Sequence, residues 1–253
     1  MTTLAYHSDP KFKADFVQEC IWHREQDRYI SGTFQREDKE GFKGCSIGCS
    51  VNSLKRLGKN SIDYSDHAGC AKLLGWPEWL CRLQDGIFEG LPAKDRPRFT
   101  EQLAQAIPVG ADMTMIWPKF AHWLLVDPKD GVIRLAETDQ VRDAINTVGS
   151  LFQRWIDGDK PSVGEWESAE SAARATSAES AEWSAERSAA RSAARAAWSA
   201  QSAASAQSAE SAARSAARSA ESAASAQSAE RQKQRDKLFE LLKAAPVLKG
   251  VKP

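Results

Sequence analysis

The segment "MTMIWPKFAHWLL", residues 113–125, separates a helical fold from a mixed one. Spaced on an α-helix, Met113, Ile116, Trp117, Phe120, Leu124 and Leu125 fall on one face, whereas a strand's two-residue alternation scatters them over both sides. The spacing therefore predicts a helix, Pro118 notwithstanding, and "DPKDG" at residues 127–131 predicts the turn that ends it.

The same period recurs on both sides of this segment. Ser8-Asp9-Pro10 supplies a cap and a first-turn proline, after which Phe12, Phe16, Val17, Cys20 and Ile21 mark a helix to about Arg28. Residues 29–42 mix β-formers with a charged, Gly-containing middle and predict the one β element, a short hairpin. Ser46 to Leu57 reads as the next helix, Asp66 as the N-cap of another, and Pro77 as the start of a third with the stripe Trp79, Leu80, Leu83 and Ile87. Phe99, Leu103 and Ile107 predict one more. Val141, Ile145, Val148, Phe152 and Trp155 line a last helix that stops near Asp157-Gly158. The expected fold is mainly α: a small helical globular domain over residues 1–158 that carries a short β-hairpin.

From Trp166 to Glu230 the chain is mostly Ser-Ala steps without Gly or Pro. Ser162 and Glu165 form an S-x-x-E capping box at its start. Residues 162–245 are thus expected to form an Ala/Ser-rich low-complexity helix, roughly 120 Å long if straight, or a helical hairpin, followed by a flexible C-terminus at 246–253. Residues 199–210 recur with one change at 219–230, in a register too irregular for a coiled-coil seam. Arg187, Arg191 and Arg195 lie on one side and read as a solvated face. Leu238, Phe239, Leu241 and Leu242 form an apolar interaction patch that docks on the globular domain, docks on a second chain, or serves only as a cap to the helix end.

Equal numbers of basic and acidic residues, 34 of each, give no global field for nucleic acid or an anionic membrane. The N-terminus lacks a basic region followed by an apolar run, and "WLLV" is far too short to span a bilayer, so a cytoplasmic protein is expected. Five cysteines, an odd number, fit reduced thiols better than a disulfide framework. Glycine-rich phosphate loops are absent.

The sharpest chemistry lies in "GCSIGCSVNSLKRLG", residues 44–58. On a helical wheel Cys45 and Cys49 share the polar side, opposite Ile47, Val51 and Leu54. Three readings follow. The thiols are structural; or Cys45, Cys49, His67 and Cys70 supply a tetrahedral zinc set; or Cys45 is a nucleophile at a helix N-terminus with His67 or His122 as base. The last arrangement resembles that of papain-like cysteine hydrolases, with Gln35 in the place of an oxyanion donor. The helical reading of residues 113–125 counts against it, because the family bears its histidine on a strand.

A tryptophan-rich domain around "KGCSIGCSVNSL", "LQDGIFEGLP" and "PVGADMTMIWPKFAHWLLVD", followed by an alanine-rich repetitive tail, resembles a group of uncharacterised bacterial and bacteriophage proteins. That likeness implies a bacterial or phage origin and carries no functional residue with it. The expected function is non-enzymatic binding of a protein partner, or self-association through the tail, with no cofactor, membrane or nucleic acid. The alternative is a zinc-binding protein or Cys-dependent hydrolase centred on Cys45 and Cys49.

Overall fold

The computed structural model describes residues 4–59, 62–179 and 227–248. Among them the chain is mainly helical, with one antiparallel hairpin of two strands. It divides into two compact units: Met1–Thr114 with Arg235–Pro253, and Met115–Gln234. The sequence reading instead places one boundary near Gly158. Two features account for the difference. The end of the chain returns to the first unit, and the start of the Ala/Ser-rich segment packs into the second.

The first unit opens with α1 (Pro10–Glu25), which Asp9 caps by accepting from the backbone N–H groups of Lys11 and Phe12. The hairpin β1 (Arg36–Asp38) and β2 (Gly41–Lys43) is shorter than the expected span of residues 29–42. Its first strand is fully exposed and presents no apolar face, so little holds it beyond its own ladder. Then come α2 (Ser46–Arg56), α3 (His67–Leu74), α4 (Glu78–Gly90) and α5 (Arg96–Ala106). Asp66 caps α3 as its position predicts, accepting from Gly69 N–H at 2.8 Å. α3 stops at Gly75, whose φ of 67° suits a residue without a Cβ.

α2 is the hub, packed against α1, α3, α4 and α5. The wheel gives it one polar side, yet Ser46, Cys49, Ser50 and Ser53 are as buried as Ile47, Val51 and Leu54. Small polar side chains can enter because partners meet them there. Gln84, itself buried, donates to Ser46 Oγ at 2.6 Å and Ser50 Oγ at 3.1 Å, and Ser46 pairs with Thr100 at 2.7 Å.

In the second unit α6 (Ile116–Val126) carries Pro118 in its first turn, where a backbone N–H would have no helical acceptor. α7 (Asp139–Ile156) buries Val141, Ile145, Val148 and Phe152 as read from the sequence, and packs on both α6 and α8 (Val163–Glu179). The capping box of α8 is formed, with Ser162 N–H donating to Glu165 at 2.7 Å and Glu165 N–H to Ser162 Oγ at 3.4 Å. Trp166 is 1% exposed, its ring 4.9 Å from Phe152 and 6.4 Å from Trp155.

Of the expected helix over 162–245, α8 and α9 (Gln227–Lys243) are the described parts. The repeat up to residue 226 and the arginines at 187, 191 and 195 lie outside the described residues, as does most of the 246–253 terminus.

Candidate functional site

The start of α2 is shaped by the loop before the hairpin. Cys45 N–H donates to Thr33 O at 2.8 Å, and Gly44 N–H to Arg28 O at 3.0 Å. A Cβ at Gly44 or Gly48 would run into the carbonyl oxygen of Phe34. The glycines of "GCSIG" thus admit the loop onto the first turn of the helix, and that seats the Phe34 ring edge-on to His67 at 5.7 Å.

Cys45 is the N-cap of α2, accepting weakly from Gly48 N–H at 3.5 Å. It is 1% exposed. Burial raises its thiol pKa, and the neighbouring Asp85 carboxylate raises it further. Asp85 and Glu89, four residues apart on α4, face Cys45. One ligand atom from each of the three lies within 4.8 Å of the others, and this is the group with metal-binding donor types among the described residues. Both oxygens of Glu89 accept from Gly32 N–H, at 2.9 and 3.1 Å, while desolvation raises its pKa. His67, 4% exposed, completes the surroundings: Nδ1 contacts Ser65 O at 2.9 Å, and Nε2 is 3.5 Å from Asp85 Oδ2.

The zinc set read from the sequence is not brought together. Cys49 donates its thiol to Gly44 O at 3.4 Å and Arg28 O at 3.6 Å, and burial raises its pKa. Cys70 is buried beside Cys81 on the α3–α4 contact, and this neighbour together with burial raises the Cys81 thiol pKa. Both act as core residues. Of the residues weighed for catalysis, His67 shares the Cys45 neighbourhood through Asp85, Gln35 is exposed, and His122 belongs to the second unit. The sequence reading missed Asp85 and Glu89. Their i, i+4 spacing in "LQDGIFEG", on the same helix as the apolar stripe, was the available signal.

The apolar patch near the C-terminus is consumed within the first unit. Leu238 and Leu242 are fully buried, Phe239 stacks on Phe99 at 5.8 Å, and Leu241 is half-buried. Of the two dockings left open, the structure has the one on the chain's own globular part.

A second irregular place in this unit is the turn at Tyr6, His7 and Ser8, with φ of 55°, 53° and 61°. Consecutive left-handed residues other than glycine cost about 1–2 kcal/mol each. Here the buried Tyr6 hydroxyl donates to Ala104 O at 2.7 Å, and Asp9 N–H donates to Tyr6 O at 2.9 Å, so the turn is fixed from both ends. Beside it opens a cleft of about 330 Å³ lined by Tyr6, His7, Lys11, Phe12, Asp15 and Lys59, among others.

No family model matches the chain, and no curated protein or solved structure does. Among the described residues no helix is long and apolar enough to cross a membrane.

Proposed function

We propose that the protein is a non-enzymatic, cytoplasmic binding protein of bacterial or phage origin. The observation that carries this reading is the occlusion of Cys45, the strongest nucleophile candidate. A thiol that is 1% exposed, wedged between the Phe34 loop and α4, offers no approach to a substrate carbonyl. The cleft beside the Tyr6–Ser8 turn suits a bound partner better. It has the volume of a small ligand site, it presents stacked His7 and Phe12 rings with charges of both signs, and its turn is held in a costly conformation of a kind that clusters at functional sites.

The test is alkylation of the folded chain by iodoacetamide, with each cysteine followed by peptide mass spectrometry. All five thiols are buried, so each should react at least about 100-fold more slowly than in denatured protein. Fast alkylation of Cys45 alone in the folded chain would hand the site to thiol chemistry and end the non-enzymatic reading. For the cleft, amine acylation should be slower at Lys11 and Lys59 in bacterial extract than in buffer. Equal rates would remove it as the binding surface.

A further inference from the structure

His67 carries its surroundings beyond simple packing. Its Nδ1 lies 2.9 Å from the carbonyl oxygen of Ser65, which can only accept, so Nδ1 holds the hydrogen. In the neutral ring Nε2 is then a bare lone pair. It is buried without a hydrogen-bond partner among the described residues, and it faces Asp85 Oδ2 at 3.5 Å. Asp85 Oδ1 is likewise buried and unpartnered. Two acceptors turned toward each other in a desolvated place repel unless something positive lies between them. Around them stand the Cys45 sulfur and the Glu89 carboxylate, whose atoms cluster with those of Asp85 within 4.8 Å.

We propose that Cys45, His67, Asp85 and Glu89 bind a single divalent transition-metal ion of the zinc class. One thiolate, one imidazole and two carboxylates form a borderline-soft donor set that suits zinc and disfavours calcium or magnesium, which take oxygen ligands alone. Ligand atoms around tetrahedral zinc stand about 3.3–3.8 Å apart, given bonds of about 2.0–2.3 Å. The Asp85–His67 separation already falls in that range, the Cys45, Asp85 and Glu89 donors stand within 4.8 Å of one another, and His67 joins them through its contact with Asp85. The outer contacts are those a metal site uses. Ser65 O fixes the imidazole tautomer, Phe34 holds the ring edge-on, and Gly32 N–H anchors Glu89. The N-terminus of α2 offsets the thiolate charge. Four protein ligands, Cys45 and His67 buried and Asp85 and Glu89 half-buried, fill a tetrahedral set and make a structural site that pins α2, α3 and α4 together. This goes beyond the binding reading above and does not depend on it.

Cobalt titration of the full, chelator-stripped chain tests the assignment, with Zn²⁺ as competitor. The expected result is a sulfur-to-cobalt charge-transfer band that saturates at equimolar cobalt and is erased by zinc. Cys45→Ser removes the band, whereas Cys49→Ser and Cys70→Ser leave it intact. Asp85→Asn and His67→Gln weaken cobalt binding by about 100-fold or more, given that even second-sphere changes cost 10–100-fold. Glu89→Gln serves the same purpose should either variant lose its native circular dichroism. A folded wild-type chain that takes up no cobalt would overturn the proposal and leave the His67–Asp85 contact as part of the packing between α3 and α4. A band that survives Cys45→Ser would overturn it equally.

Discussion

Gly48 lacks a side chain for a steric reason, since the Phe34 carbonyl oxygen occupies the space that a Cβ would fill. The obstacle is backbone, which cannot rotate away as a flexible side chain would. Gly48→Ala should therefore destabilise the protein by about 1–3 kcal/mol, the usual cost of overpacking, with the urea midpoint as readout. Gly86 makes the contrast. It sits inside α4 with nothing within 4 Å of an added Cβ, and Gly86→Ala should stabilise by about 0.5–1 kcal/mol through helix propensity alone. A loss at Gly86 as large as that at Gly48 would refute the steric argument. At this scale the sequence displayed both glycines and concealed their difference. Which glycine lies beneath a loop depends on where residues 31–35 return, and no local spacing encodes that.

Helices were the most legible elements because their ends are chemical. Asp9 with Pro10, Asp66, and Ser162 with Glu165 each cap where the sequence places them. Glu165 also shows what a cap does with pH. Hydrogen bonds from Arg154, at 2.5 Å, and then from Ser162 lower its pKa from 4.5 to about 2. A depressed folded pKa means that the stabilisation is complete above about pH 4.5 and is lost as pH falls toward about 2. The thermal midpoints of wild type and Glu165→Gln should thus differ near pH 6 and converge near pH 2, as followed by circular dichroism. A constant difference across that range would mean the carboxylate charge contributes nothing to the start of α8. The hairpin was less legible than the helices. Its strands carry no alternating apolar face, and the residues before it are taken up by the loop that covers the start of α2. The Asp85–Glu89 pair was hidden for a related reason. A helix face is polar to the reader whether it meets water or a cysteine on the neighbouring helix.

For the whole molecule, the question left by the sequence was where Leu238, Phe239 and Leu242 find cover. In the structure that cover is the first unit itself. Leu238→Ala should cost about 2–5 kcal/mol, the range for emptying a buried leucine site. Because the contact lies within one chain, the melting temperature of wild type should not depend on protein concentration. A midpoint that rises with concentration would move the contact to a second chain. Composition, helical period and capping residues were enough to determine a mainly helical chain with an Ala/Ser-rich segment, since those properties are local and repeat along the backbone. Tertiary structure alone decided that residues 235–248 close the first unit, that α2 packs against four helices, and that Cys45 meets Asp85 and Glu89, with His67 against Asp85, in place of Cys49 and Cys70. Each of these depends on which helix packs against which, a choice made by shape and desolvation between segments far apart in the sequence.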